Sequence, residues 1–363
     1  MGGDQSSDAA SEAGAVYVFV RSNSVWRQQA YLKASNTDAG DQFGWSVALS
    51  ADGNTLAVGV RGEASAATGI DGDQADNTAR GSGAVYVFAR GGASWRQQAY
   101  VKASNTAEGA NFGLAVALSS DGATLAVGAE GEASAATGIN GDQRNTDATN
   151  SGAVYVFVRS GASWRQQAYV KASNTDHEDR FGHSVALSAD GATLAVGAFD
   201  EQSPATGVDG DQTANALAAA GAVYVFTRSG TTWSQQAYVK ASNTDALDHF
   251  GGSVTLSPDG ASLAVGAPAE ASAATGIDGD QTSNLAIGSG AIYLFIRSGA
   301  TWTQQAYVKA SNPGGGFGTS AAFSADATTL VVSAAFENGA SVGIDGDQAD
   351  HSAGAAGAAY VFN

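Results

Sequence analysis

A repeat of 69 residues runs through this sequence and limits what it can fold into. Its clearest marker is a tryptophan, which recurs with that spacing at Trp26, Trp95, Trp164, Trp233 and Trp302. A Gly-Asp-Gln triplet keeps the same register, with its aspartates at Asp4, Asp73, Asp142, Asp211, Asp280 and Asp347. Tandem units of this kind bury each other's faces and form one body. The repeat therefore predicts a single domain over residues 1–363.

Each repeat contains four segments with the pattern of a β-strand. Residues 46–50 alternate apolar and small side chains, and an Asp-Gly turn joins them to residues 55–59. Residues 84–90 are apolar on both faces, as in a strand inside a stack of sheets. Residues 95–102 are more polar, which suits an outer edge. No segment has a useful helical period, so we predict an all-β propeller built from four-stranded antiparallel blades.

The position of the Phe-Gly dipeptide in each repeat sets the predicted number of blades. Four complete blades cover residues 43–105, 112–174, 181–243 and 250–312. A fifth, composite blade combines residues 317–363 with 14–36, so that the N- and C-terminal strands share it and close the ring. The N-terminus also brings a third strand of its own, which duplicates the C-terminal one. This predicts a monomer, or an oligomer formed through the duplicated third strand.

The composition excludes several classes of partner. The formal net charge is −18, which argues against nucleic acid and anionic membranes, since both attract Lys and Arg. No apolar stretch approaches the length of a membrane span, so membrane insertion is not expected. Cysteine is absent, which excludes disulfides and thiolate chemistry. The sequence starts inside a repeat and lacks a signal-peptide core, so we expect a longer parent chain that carries the export signal.

The dipeptide Phe43-Gly44, followed by Ala57-Val58-Gly59, resembles the FG-GAP repeat of integrin α-chain propellers and of many bacterial surface proteins. The last copy departs from it, with Ser333-Ala334 in place of Gly-Ala. The resemblance implies adhesion or ligand binding outside the cell or at its surface, without catalysis. Integrin-type repeats often hold calcium between the first two strands of a blade. That connection is a short hairpin here, so the resemblance is closer to a bacterial branch with Gly-Asp-Gln loops.

The long loop after the second strand of each blade carries a recurring set of acidic residues. Calcium takes six to eight oxygen ligands, which carboxylates, amides and carbonyls supply. The loops therefore predict one calcium site per blade; the alternative is that the same side chains cap turns by bonding nearby backbone amides. The candidate ligands are Glu63, Asp71, Asp73, Glu132, Asn140, Asp142, Glu201, Asp209, Asp211, Glu270, Asp278, Asp280, Glu337, Asp345 and Asp347. A second loop on the same end adds Asp41, Asp179 and Asp248.

The residue that follows Phe-Gly differs between otherwise near-identical repeats. It is Trp45, Leu114, His183, Gly252 and Thr319 in turn. Varied side chains on a uniform frame predict an asymmetric ligand-binding site, with sequence drift at a half-exposed position as the alternative. The Trp-x-Gln-Gln-Ala-Tyr strand also has two interpretations. It is either a sugar-binding platform or, as we expect, packing between adjacent blades.

Catalysis has little support in the sequence. No nucleophile elbow precedes a suitable histidine, and the four histidines form no zinc-binding pattern. We therefore predict a non-catalytic adhesion-type propeller that binds a protein or carbohydrate ligand, with calcium as the one candidate cofactor. The alternatives are a structural or engineered repeat scaffold without a specific ligand and a propeller enzyme that acts on glycans.

Overall fold

The computed structural model describes residues 5, 7 and 9–363, and the first Gly-Asp-Gln aspartate, Asp4, lies outside them. The described chain contains 21 β-strands and no helix. It divides into two compact units, Met1–Lys171 and Ala172–Asn363. The fold is the predicted all-β propeller with four-stranded antiparallel blades. Four blades are complete, and a C-terminal sheet supplies the first three strands of a fifth.

The first unit holds an N-terminal hairpin and two blades. The hairpin consists of β1 (Val16–Ser22) and β2 (Val25–Leu32), which form a two-stranded sheet. Blade 1 consists of β3 (Ser46–Leu49), β4 (Thr55–Val60), β5 (Ala84–Gly91) and β6 (Ser94–Val101). Blade 2 consists of β7 (Val116–Leu118), β8 (Thr124–Ala129), β9 (Ala153–Ser160) and β10 (Ser163–Val170).

The second unit holds two blades and the C-terminal sheet. Blade 3 consists of β11 (Phe181–Leu187), β12 (Thr193–Ala198), β13 (Ala222–Ser229) and β14 (Thr232–Val239). Blade 4 consists of β15 (Ser253–Leu256), β16 (Ser262–Ala267), β17 (Ala291–Ser298) and β18 (Thr301–Val308). The C-terminal sheet consists of β19 (Phe317–Phe323), β20 (Leu330–Ala334) and β21 (Ala358–Phe362). The shared terminal blade, and with it the single domain over residues 1–363, stays a prediction.

The Asp-Gly turn between the first two strands of a blade is held by its own side chains. In blade 1, Asp52 Oδ1 accepts hydrogen bonds from Ser50 Oγ at 2.6 Å and from the Asn54 amide at 2.9 Å. Gly53 takes a φ of 65°, a conformation that costs glycine little. The turn therefore fixes the hairpin register in which Ser46 pairs with Gly59.

A β-bulge in the fourth strand of each complete blade leaves a glutamine out of the ladder, and in blades 1 and 3 this glutamine contacts the next blade. In blade 1 the pairing passes from Phe88–Gln97 to Val87–Ala99, so Gln98 is left out of the ladder. Gln98 instead accepts a hydrogen bond from Trp164 Nε1 of blade 2 at 3.1 Å. Bulges commonly re-aim a side chain in this way. Trp164 is 5% exposed, so it packs between blades, as the repeated strand pattern predicts.

Close backbone contact also joins neighbouring blades within each unit. A Cβ atom added to Gly59 would lie 2.0 Å from the carbonyl oxygen of Gly113 in the next blade. Gly197 stands in the same relation to Gly251. Glycine is thus required at the end of the second strand because the next blade's Phe-Gly turn approaches it. The phenylalanine of that turn, Phe112 in blade 2, is fully buried.

Candidate functional site

A buried ion pair occupies the start of the long loop in every complete blade. In blade 3, Glu201 Oε2 lies 2.8 Å from Lys240 Nζ, and both side chains are fully buried. Glu201 Oε1 accepts hydrogen bonds from Tyr238 Oη and from Asn174 Nδ2, each at 2.9 Å. The equivalent pairs are Glu63–Lys102, Glu132–Lys171 and Glu270–Lys309. This glutamate therefore neutralises a buried lysine and closes the loop onto the fourth strand.

The first Asp or Asn of the Gly-Asp-Gln loop bonds the fourth strand in each complete blade. Asp209 has a φ of 55°, which aspartate and asparagine adopt more readily than most residues. Its Oδ1 atom accepts a hydrogen bond from the Tyr238 amide at 2.9 Å, and its own amide donates to the Tyr238 carbonyl at 2.7 Å. Asp71, Asn140 and Asp278 make the same two bonds in their blades. These bonds dock the loop along the edge of the fourth strand.

The aspartate of the triplet itself bonds within its own loop. Asp211 Oδ1 accepts from the amide and the hydroxyl of Thr213, at 2.9 and 2.7 Å. Asp73, Asp142, Asp280 and Asp347 each accept from the amide two residues ahead. The main chain of Asp211 also accepts a hydrogen bond from Ser203 Oγ at 2.8 Å. Side chain and backbone are both used to hold the turn, as in an Asx-turn.

These carboxylates do not fit a calcium site in the observed arrangement. The glutamate is committed to a lysine, the first Asp or Asn to a strand amide, and the triplet aspartate to its own turn. Among the described residues, no group of three or more His, Cys, Asp or Glu side chains is placed to hold a metal ion. A calcium site requires several such oxygen atoms that converge on one ion. Calcium binding by these loops therefore stays a prediction, with a donor set that the structure does not bring together.

The C-terminal sheet carries the same loop without its lysine. Glu337 is 6% exposed and accepts hydrogen bonds from Asn312 Nδ2 and from the Gly339 amide, each at 2.9 Å. No ion pair of Glu337 occurs within the described residues. In the complete blades the lysine and the tyrosine belong to the fourth strand and the residue after it, and the C-terminal sheet has three strands. Asp345 and Asp347 lie exposed in this loop.

The acids of the second loop are buried. Asp248 is 3% exposed, and its Oδ2 accepts a hydrogen bond from the Asp245 amide at 3.2 Å. Burial, together with the neighbouring charge of Glu270, raises the pKa of Asp248 to about 7. Burial likewise raises the pKa of Asp41 to about 6. Asp179 is also buried, at 1% exposed. Asp248 therefore holds its proton more tightly than an exposed aspartate does.

The position after Phe-Gly meets two other variable positions in space. In blade 1 the guanidinium of Arg61 stacks on the Trp45 ring, with its Cζ atom 3.3 Å from the ring centroid. Arg61 Nε also donates a hydrogen bond to Gln42 Oε1 at 2.7 Å. Gln42 directly precedes the Phe-Gly dipeptide and Arg61 directly follows the second strand. The three side chains form one polar and aromatic surface, on which Trp45 is 49% exposed.

The same three positions build a different surface in the second unit. The His183 and Phe199 rings lie 4.0 Å apart between centroids, and Phe199 also lies 5.3 Å from the His249 ring of blade 4. Asp200 lies between Arg180 and His249, with Arg180 Nε and His249 Nδ1 each 3.1 Å from its carboxylate oxygens. The interaction with Asp200 raises the pKa of His249. We name Arg180, His183, Phe199, Asp200 and His249 the His-Phe cluster.

The other members of the predicted ligand set are less prominent. Leu114 is buried at 8% exposed, and Gly252 carries no side chain. Thr319 is exposed, and its hydroxyl donates a hydrogen bond to the Gly316 carbonyl at 2.6 Å. Among the residues that follow Phe-Gly, the large aromatic side chains are therefore Trp45 in the first unit and His183 in the second. Within the described chain, no helix has the length and apolar character needed to cross a membrane.

The chain belongs to the FG-GAP repeat family. The family model matches residues 26–88, 95–157, 164–226 and 233–295, well over half of the sequence. No curated protein matches the sequence. Among solved structures, a putative TolB from Agrobacterium tumefaciens is similar, with 12% identity, a TM-score of 0.42, and coverage of 85% of this chain and 73% of that one. The periplasmic gluconolactonase PpgL from Pseudomonas aeruginosa has 16% identity, a TM-score of 0.48, and coverage of 88% and 70%.

Proposed function

We propose that this chain is a non-catalytic, adhesion-type binding propeller that acts outside the cell or at its surface and recognises a protein or carbohydrate. One observation carries the proposal. The side chains that differ most between the repeats meet at one end of their blades, on a backbone that is the same in each. Loops on a rigid frame are where binding residues concentrate.

The frame beneath these side chains is built alike in each complete blade. Phe43 and Phe250 are buried, and the residue before each has a positive φ, 61° at Gln42 and 56° at His249. The backbone is thus fixed while the side chain that it presents changes. Such a division between a constant frame and changing contact groups is characteristic of recognition surfaces.

The chemistry of the two surfaces favours a polar ligand with apolar faces. Trp45 and Phe199 offer aromatic rings, and Arg61 and Arg180 offer guanidinium groups beside them. Aromatic faces stack on the apolar sides of sugars or on side chains, while the neighbouring donors bind hydroxyl or carboxylate oxygens. A carbohydrate or the surface of an acidic protein has this mixture.

The near-identical ion pairs favour a second candidate, a structural scaffold without a specific ligand. Four buried Glu–Lys pairs at the same place in each blade serve the fold and need no ligand. The scaffold and the binding proposals differ in what they expect of the variable residues. Under the scaffold proposal, their replacement changes no interaction with another molecule.

The test is a binding screen of the purified chain against a glycan array and immobilised fibronectin, fibrinogen and collagen. We expect at least one saturable interaction that Trp45→Ala or Phe199→Ala weakens about tenfold or more, the loss typical of a central contact residue. Leu285→Ala is the matched control, because Leu285 is an equally apolar side chain, 89% exposed, in a long loop. An absence of binding overturns the proposal, as does binding that these variants leave unchanged. Cleavage of arrayed glycans would instead support an enzyme.

A further inference from the structure

An open groove lies between blade 4 and the C-terminal sheet, within the second unit. Its volume is about 330 Å³, and its walls are largely apolar. Blade 4 contributes Ser262, Leu294, Gln305 and Ala306, and the C-terminal sheet contributes Phe323 and Phe362. We call it the blade-4 groove. Nothing in the proposed function uses this place.

The equivalent place on blade 3 is filled by a tryptophan. Trp302, on the fourth strand of blade 4, is 2% exposed and donates from Nε1 to Gln236 Oε1 of blade 3 at 2.9 Å. It packs in one buried cluster with Val225 and Ala237. Leu294, Gln305 and Ala306 stand one repeat after Val225, Gln236 and Ala237. The blade-4 groove is therefore lined by the residues that hold a tryptophan one blade earlier.

The burial of these residues supports this equivalence. Val225 and Ala237 are 0% and 2% exposed, whereas Leu294 and Ala306 are only partly buried. The bulge of β18 leaves Gln305 out of the ladder, as the bulge in blade 1 leaves out Gln98. Gln305 is exposed at the groove and receives no tryptophan from the described chain. Blade 4 thus presents a complete acceptor for a fourth strand.

The C-terminal sheet presents the other half of this acceptor. Its strand order is β19-β20-β21, so β21 is an edge strand with backbone groups open to a further strand. Glu337 is buried beside it and has no lysine among the described residues. In the complete blades the lysine that pairs with this glutamate directly follows the fourth strand, and in blades 1, 3 and 4 a tyrosine on that strand also bonds the glutamate. A single strand with the pattern Trp…Tyr-x-Lys would fill the groove, pair with the edge of β21 and bond the carboxylate of Glu337.

The N-terminal hairpin carries a strand of this type. On β2, Trp26 is 64% exposed and Val25 is 51% exposed, unlike the buried tryptophans Trp95 and Trp302. Lys33 follows the strand, and its Nζ donates to the Gly14 carbonyl. Within the described residues Lys33 forms no direct ion pair with a carboxylate, although its charge acts on the nearby Asp41. The strand thus offers the tryptophan and the positive charge that the acceptor calls for.

We propose that the blade-4 groove and the β21 edge form a docking site for β2 of a second copy of this chain. In the docked state Trp26 fills the groove and bonds Gln305, and Lys33 pairs with the acceptor's Glu337. Each chain has both an open groove and an exposed strand, so a second copy can satisfy both. Addition of a strand to an open sheet edge is a common mode of recognition.

In the docked state β2 changes its partner strand but keeps the same antiparallel register. In the hairpin Tyr31 pairs with Tyr17, as Tyr307 pairs with Tyr293 in blade 4. Tyr360 on β21 occupies the position that Tyr293 has on β17, so β21 replaces β1 as the partner of β2. The ladder given up and the ladder gained are of the same kind. The gain is the burial of Trp26 and the pairing of two charges.

Ser333 limits how far this contact extends. It stands where blades 1, 3 and 4 have Gly59, Gly197 and Gly266, each of which admits a carbonyl of the following blade. A side chain at this position obstructs the approach of a whole further blade. The contact is therefore concentrated on the outer strand, where the groove lies, and Ser333→Gly is expected to tighten it.

The test is a mixing experiment with one variant for each half of the contact. Trp26→Ala removes the side chain that enters the groove, and Ala306→Phe fills the groove. If Ala306→Phe lowers the melting temperature, Gln305→Ala is used in its place. Light scattering coupled to size exclusion measures the mass of each protein and of their mixture. The wild type is expected to exceed 36.1 kDa increasingly between about 1 and 100 µM, because association depends on concentration. Each variant alone is expected at 36.1 kDa, and the mixture at twice that mass.

The charge pair supplies a second measurement. Lys33→Glu alone and Glu337→Lys alone are each expected to weaken association about tenfold or more, and the mixture of the two variants to recover the loss. A wild type that stays at 36.1 kDa at all concentrations overturns the proposal. A larger wild type whose mass Trp26→Ala leaves unchanged also overturns it, because association then uses another surface.

Discussion

Lys240 and Glu201 form a 2.8 Å ion pair in which neither side chain has any exposed surface. Burial lowers the pKa of Lys240, and the carboxylate of Glu201 opposes this effect. Removal of one partner from such a pair leaves an uncompensated buried charge. The pair therefore fastens the long loop to the fourth strand at a fixed point.

We predict that Glu201→Gln lowers the free energy of unfolding by about 3–5 kcal/mol, the usual cost of breaking a buried pair. The double variant Glu201→Gln with Lys240→Met is expected to recover most of this loss, because the unpaired charge is gone. Urea unfolding measures both, with the exposed Glu108→Gln as control. An equal or larger loss in the double variant would contradict the role assigned to the pair.

The raised pKa of Asp248 leads us to expect that the stability of the fold depends on pH. Its pKa is about 7 in the folded chain, against an ordinary value of 3.8, so the fold holds this proton more tightly than the unfolded chain. Stability from this group therefore rises as the pH falls from about 7 towards 4. Asp248→Asn is expected to raise the melting temperature at about pH 8 and to have little effect near pH 4.

Asp52 provides a control of opposite sign for that measurement. A hydrogen bond from Ser50 lowers its pKa to about 2, so its stabilising effect is present above the ordinary value and is lost as the pH falls. Asp52→Asn is expected to lower the melting temperature at about pH 8. If Asp248→Asn lowered the melting temperature at about pH 8, as Asp52→Asn is expected to do, the raised pKa of Asp248 would be contradicted.

His249 is expected to titrate above its ordinary pKa of 6.5, because Asp200 favours the protonated ring. Its contribution to stability is present below that value and is lost as the pH rises through the raised pKa. An NMR titration of the ring protons measures the shift directly. Asp200→Asn is expected to bring the pKa back towards 6.5 or below. An unchanged value would show that Asp200 does not interact with the ring in solution.

Gly59 tests the contact between blades. Gly59→Ala places a methyl group against the Gly113 carbonyl and is expected to cost about 1–3 kcal/mol, as overpacking usually does. Gly91→Ala is the matched control, because a Cβ there meets no atom within 4 Å. Thermal unfolding of the two variants gives the comparison, and equal melting temperatures would contradict the contact.

Millimolar calcium is expected to change the melting temperature by less than about 1 °C, because a ligand stabilises only the state that it binds. The reason is that the loop carboxylates already have internal partners. A calorimetric titration gives a second readout. A clear rise in melting temperature that Asp211→Asn abolishes would support the calcium prediction for the Gly-Asp-Gln loops.

Much of the fold could be predicted because its signals are local. The alternation of Val47 and Leu49 and the Asp-Gly turn after them specify a hairpin without any knowledge of the rest of the chain. The role of the loop glutamate is not evident from the sequence, because Glu201 and Lys240 are 39 residues apart and meet only when the loop folds back. The lysine that ends the fourth strand in each repeat was an available signal.

The variable surface was predicted only in part. His183 was singled out because it follows Phe-Gly, but its neighbour Phe199 lies after the next strand. The two meet through the hairpin register, in which Phe181 pairs with Ala198. That register places the ends of β11 and β12 side by side, so it could have predicted the contact. The blade-4 groove could not be foreseen, because it depends on which strands pair at the two ends of the chain.

The bulge that frees Gln98 for Trp164 has a consequence for how such chains change length. The glutamine and the tryptophan of one contact are 66 residues apart, which is nearly one repeat. Each repeat therefore carries the tryptophan of one interface and the glutamine of the next. A gene segment that is duplicated or lost as a whole repeat brings its own matching ends with it. A change in blade number by whole repeats therefore keeps each glutamine matched to a tryptophan without further substitutions at that contact.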